Sequence, residues 1–261
     1  MTTLVPSHIA KVARAKQHIA DLDAAVADYA KTKPYEVRTR IEGKKKVRRL
    51  AFTASPANTD IPLIAADAIY NLRSALDHLM ASMVPKARRQ SVGFPIFFRG
   101  VWETGPPGEE QQRVKLRGRW ASETATLHPG AVAVLKRLQP PDDAGDDAAN
   151  LLRIINSLSN RDRHEKLPVI AAGLSTMMVR WTMADGRPQG GLSASKGGFF
   201  KDQAQIRDIP DVAMDVQITG VPLIAIRVRE EKGYIELARL GRAPSLIDEH
   251  VISPLTPFVL R

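Results

Sequence analysis

Hydrophobic periodicity changes character near Leu167, and that change limits the folds open to this chain more than any other feature. Upstream, apolar residues recur at helical spacing over about residues 8–31, 62–84, 129–138 and 146–159; downstream they alternate in short runs divided by turn residues. The pattern predicts an α+β fold, with a helical core of about four helices plus a basic β-hairpin and an antiparallel sheet in the C-terminal third. Residues 1–165, including a hairpin at 35–54, are expected to form the mainly helical part. Residues 166–261 are expected to form the sheet and a C-terminal helix, packed with the first part as one unit.

Ser7 is placed to cap the first helix, in which Ile9, Val12, Ile19, Leu22, Val26 and Tyr29 share a face, and Pro34 closes it. Tyr35, Val37, Thr39 and Ile41 then alternate with Glu36, Arg38 and Arg40, and Glu42-Gly43 turns the chain into a second strand at about 46–53. The helix from Asp60 to Val84 carries the strongest pattern, with Pro62 in its first turn and Pro85 at its end. Residues 86–127 read as irregular apart from a short strand around Gly93-Phe94-Pro95-Ile96-Phe97. Strands are expected at about 167–172, 177–183, 216–219, 223–228 and 234–237, whereas Gly190 to Gly197 reads as a mobile loop. Pro254 and Pro257 should break or shorten a last helix at 245–260.

The absence of cysteine excludes disulfides, thiolate metal sites and a cysteine nucleophile. No apolar run approaches the roughly 20 residues of a membrane helix, and the start of the chain lacks the pattern of a secretory signal. The expectation is therefore a cytoplasmic protein without a membrane partner. The formal net charge of +10 suits a polyanion, because lysine and arginine gain affinity for phosphates by releasing counterions. The hairpin residues Arg38, Arg40, Lys44, Lys45, Lys46, Arg48 and Arg49 are the candidate nucleic-acid contacts, on a protruding two-stranded ribbon.

Two clusters are able to carry chemistry. On a helix, Asp67, Asn71, Ser74 and His78 fall on one stripe, with Arg73 and Asp77 as an adjoining i,i+4 ion pair. Asn160, Asp162 and His164 follow where a helix gives way to a strand. Together they supply fixed cations, carboxylates and imidazoles able to change charge near neutral pH, which is what handling of a phosphate requires.

The strings AIYNLRSALDHLM, GFPIF, LKRLQPP and LLRIINSLSNRDRHEKL, in that order over about residues 60–170, resemble a group of bacterial and phage proteins. That group carries the patterns Asn-x-Arg-x-x-x-Asp-His and Asn-x-Asp-Lys/Arg-His. The resemblance implies that the two clusters belong together and brings no activity with it. Arg73-x4-His78 also resembles the signature of HEPN domains, helical modules of many ribonucleases in which such residues meet across a dimer and RNA is cut without metal. That resemblance implies His78 in proton transfer, Arg73 stabilising charge on the phosphate, a homodimer and no cofactor. Ser74 stands where that family often has Asn, Asp or His, and the sheet-rich C-terminal third is foreign to it. Three readings stand: an RNA-binding protein or metal-independent ribonuclease with Arg73, Asp77, His78, Asn160, Asp162 and His164 at its site; a small-ligand or metal-binding protein; and a non-enzymatic structural or interaction protein in which the clusters form a buried polar network.

Overall fold

A computed structural model describes residues 5–32, 35–42, 47–54, 60–97, 110–140, 147–162, 169–183, 185–193, 204–210, 214–228 and 233–260. The fold is α+β. Helix α1 (Ser7–Lys31), strands β1 (Tyr35–Glu42) and β2 (Val47–Ala54) and helix α2 (Asp60–Ser82) are followed by a 3-10 turn at Lys86–Arg88. Next come α3 (Glu110–Thr124), α4 (Pro129–Arg137) and α5 (Asp147–Asp162), then strands β3 (Val169–Thr182), β4 (Pro188–Ser193), β5 (Ala204–Pro210), β6 (Met214–Val228) and β7 (Gly233–Glu236). Short helices α6 (Ala238–Gly241) and α7 (Ala243–Ile247), a π turn at Asp248–Ile252, α8 (Ser253–Leu255) and a 3-10 turn at Thr256–Phe258 end the chain.

The contacts group the chain differently from a cut near residue 165. One compact unit comprises residues 1–20, 64–166 and 240–261, and the other residues 21–63 and 167–239. The hairpin falls in the sheet unit because β2 pairs antiparallel with β5, giving a three-stranded sheet of order β1-β2-β5 where a two-stranded ribbon was expected. The terminal helices fall in the helical unit because Ala243, Ile247, Val251, Ile252 and Leu255 are buried in the same core as Leu72, Leu76 and Leu135.

The second sheet is antiparallel with order β4-β3-β6-β7. Paired runs expected as separate strands are continuous in β3 and in β6, with irregular register where they join. The Asp185-Gly186 signal is realised as the β3–β4 turn, in which Gly186 has φ 78° and Arg187 donates from its backbone N–H to Asp185 Oδ1 at 3.1 Å. The glycine-rich stretch expected as a loop instead supplies β4 as far as Ser193; residues 194–197 lie outside the described residues.

Within the helical unit, α2 is the central element. Ile69, Leu72, Leu76, Leu79 and Met80 are fully buried along one side, as the helical spacing requires. Helix α1 starts at Ser7, so Pro6 rather than Ser7 holds the cap position, its carbonyl accepting from Ala10 N–H at 3.1 Å. Two expectations for residues 86–127 are corrected. Residues 110–124 form a helix, and Gly93–Phe97 is not a strand, its backbone being held by side chains.

Candidate functional site

Arg73 and Asp77 lie one turn apart on α2 and meet end to end. Arg73 Nε donates to Asp77 Oδ2 at 3.2 Å and Nη2 to Asp77 Oδ1 at 2.9 Å, a forked pair that fixes the guanidinium plane. Arg73 Nη2 also donates to the Phe94 carbonyl at 3.0 Å, while the Phe94 N–H donates to Asp77 Oδ1 at 2.8 Å. The pair thus satisfies both backbone groups of Phe94, the task a neighbouring strand performs in a sheet. From α5, Asn156 Oδ1 accepts from Arg73 Nη1 at 3.3 Å. The Arg73 side chain retains 15% exposure and that of Asp77 36%.

A second clamp grips the same segment three residues on. Gln139, fully buried at the end of α4, accepts from Phe97 N–H through Oε1 at 2.6 Å. Its Nε2 donates to the carbonyls of Pro95 at 3.1 Å and Leu135 at 2.7 Å. Phe94 and Phe97 can then insert their rings in the core, where Phe97 meets Trp120 of α3 edge-on at 6.1 Å. Three separate stretches of chain therefore meet around residues 93–97: α2 provides Arg73 and Asp77, α4 leads to Gln139, and α5 brings Asn156.

The stripe expected on α2 divides into unequal environments. Asp67 is exposed, Ser74 and His78 are half-buried, and Asn71 is buried, donating from Nδ2 to the Asp67 carbonyl at 2.9 Å. Lys11 of α1 approaches Asn71 Oδ1 at 3.5 Å and lies 5.4 Å from the centroid of the exposed Tyr70 ring. His8, 5% exposed, has an imidazole held below histidine's ordinary 6.5, first by burial and second by the charge of His78.

Helices α2 and α5 do meet, but through Asn156. Asn160, one turn further along α5, is exposed; Asp162 is described only as the last helical residue, and His164 lies outside the described residues. No group of three or more His, Asp or Glu among the described residues is arranged to hold a metal ion. Of the hairpin candidates, Lys44, Lys45 and Lys46 lie outside the described residues. The strand residues are placed by register: Arg40 opposite Arg49, Arg38 opposite Ala51, Arg48 opposite Ile41, and Asp208 of β5 opposite Arg49 on its other side. Arg49 thus has a carboxylate residue opposite it in the sheet, which the hairpin sequence alone does not reveal.

Asn156, Gln139 and His8 are the site residues that sequence reasoning missed. The only signal for each was its position on or beside a helix face that otherwise packs. No helix of the described residues is long and apolar enough to cross a membrane. No protein-family model, curated protein or solved structure matches the chain.

Proposed function

We propose that this chain is a non-catalytic RNA-binding protein in which the Arg73–Asp77 pair belongs to the scaffold. The observation that carries binding over cleavage is the engagement of Arg73. An arginine that stabilises charge on a scissile phosphate must offer that phosphate its N–H groups. Here four of the five guanidinium N–H groups are directed at Asp77, Phe94 and Asn156. Releasing them would free the segment that carries Phe94 into the core. The net charge of +10 supports a polyanionic partner.

Arg73→Ala tests this reading. The expected result is a lower thermal midpoint, with RNA affinity retained at temperatures where the variant is folded. Metal-independent RNA cleavage by the parent protein, lost in Arg73→Ala with the midpoint unchanged, would overturn it. One observation favours cleavage as a second reading: the half-buried His78 follows Asp77 directly on α2, beside the forked Arg73–Asp77 pair, and an imidazole suits proton transfer. RNA cleavage abolished by His78→Ala would establish that reading.

A further inference from the structure

The positive charge of the chain is unevenly placed. Between Leu79 and Trp102 there is no carboxylate at all, and between Gln111 and Pro141 Glu123 stands alone. These stretches contribute the 3-10 turn after α2, α3 from its second residue onward, its first being Glu110, and the whole of α4, all in the helical unit. Lys86 and Arg89 at the turn, and Lys115 and Arg119 on α3, are exposed. Arg88 ties turn and helix together, its Nη2 donating to the Ser122 carbonyl at 2.9 Å. Lys115, Arg119 and Ser122 fall at i, i+4 and i+7, so the stripe runs for about 10 Å along α3 before Arg88 joins it. Glu123, beside the stripe, is engaged through one oxygen: its Oε1 accepts from Arg119 Nε at 2.8 Å, and its side chain is only 13% exposed. Arg119 is also fixed from below, its guanidinium carbon 5.5 Å from the centroid of the Phe97 ring.

The helix beside this stripe is bare. Gly118 has no atom within 4 Å of where a Cβ would stand, and Ala121 and Ser122 are exposed. A phosphate strand can approach such a helix closely, flanked by cations on a rigid support. We infer that the phosphate backbone of RNA docks along α3 and the Lys86–Arg88 turn, with the exposed Lys86, Arg89 and Lys115 as its contacts. This rests on the RNA-binding reading above and moves its surface from the hairpin to the helical unit. RNA is favoured over an anionic membrane because the exposed side of α3 has Val114 but no Trp, Phe or Leu to insert among lipids.

The test compares the full-length parent, a variant combining Lys86→Glu, Arg89→Glu and Lys115→Glu, and a hairpin variant combining Lys44→Ala, Lys45→Ala and Lys46→Ala. Binding to a single-stranded RNA is titrated over a range of salt, with thermal melting as the folding check. The expected result is an affinity loss of at least about tenfold for the first variant, and a salt slope flatter by about two, as three lost phosphate contacts imply. The hairpin variant should bind within about twofold of the parent. A Lys86→Gln, Arg89→Gln, Lys115→Gln variant, with a smaller loss in the same direction, keeps the test intact if reversed charge disturbs α3. Unchanged binding by both the Glu and Gln variants overturns the inference and leaves the RNA-binding reading standing, the more so if the hairpin variant is the one that weakens. A parent that binds no RNA at low salt overturns both. Binding to phosphatidylserine–phosphatidylcholine vesicles that needs these three cations, with none to RNA, identifies the surface as membrane-directed and also overturns both.

Discussion

Arg73 and Asp77 answer each other's hydrogen-bonding needs and those of Phe94, so removing either leaves more than one polar group unpaired. Arg73→Ala should destabilise the protein by about 2–3 kcal/mol, measured by chemical denaturation, because Asp77 and the Phe94 carbonyl lose donors in a partly buried setting. Arg73→Lys should recover little of this, since an ammonium cannot reproduce the planar fork. Gln139→Leu should cost about 2–4 kcal/mol, because the replacement leaves the buried Phe97 N–H and Pro95 carbonyl without partners. His8 adds a pH dependence. Its folded-state value lies below the ordinary 6.5, so the unfolded chain binds the extra proton first. Stability should be flat above about pH 6.5, decline as pH falls from there towards the folded-state value, and level off below it. Thermal midpoints across about pH 8 to 5 should show this decline in the parent and a shallower one in His8→Gln; an equal decline in both would refute the assignment to His8.

At the level of elements, two helical glycines predict opposite signs. Gly118→Ala on α3 meets nothing and should stabilise by about 0.5–1 kcal/mol through helix propensity. Gly130→Ala in the first turn of α4 would place its Cβ 2.8 Å from Phe258 Cε1. That ring is stacked on His128, whose Nδ1 caps the helix by accepting from Gly130 N–H at 3.1 Å. The ring must shift, so a net loss of about 1–2 kcal/mol is expected despite the gain in propensity. Equal effects of the two substitutions in denaturant melts would show that Phe258 is not held as described. The elements also differ in legibility. The long helices were readable because each buries a continuous stripe, as Ile69 to Met80 do. Helix α3 was not, because its apolar residues are few and divided: Trp120 is buried, Leu116 half-buried and Val114 exposed. The segment Gly93–Phe97 reads as a strand because its apolar residues resemble one, and its partners turn out to be side chains of α2 and α4.

For the molecule as a whole, the interleaving of the two units has a direct consequence. A chain ending at residue 165 would keep every long helix but lose Ala243, Ile247, Val251, Ile252 and Leu255 from the helical core, and β5 from the hairpin sheet. Burial of each large apolar side chain contributes roughly 1.5–3 kcal/mol, so the loss is comparable with the whole stability of a domain. The truncated chain should retain helical circular dichroism yet lack dispersed amide resonances and bind hydrophobic dye. A cooperative melt with native-like dispersion would show that residues 1–165 fold alone.

The sequence by itself determined the class of fold, the main helices, the antiparallel strands and the Arg73–Asp77 pair, since each follows from periodicity or spacing within a few turns of chain. Tertiary structure decided the rest. Asn156, Gln139 and His8 acquire roles only through partners at long sequence separation, and β2 acquires β5 across most of the chain. The sequence shows where positive charge is concentrated but not its geometry. Only the fold reveals that Arg49 of the hairpin stands in register with Asp208, while the cations of α3 and the preceding turn form a stripe beside which Glu123 is already engaged by Arg119. Local sequence sets which face a residue occupies; which partner waits there depends on packing between distant elements.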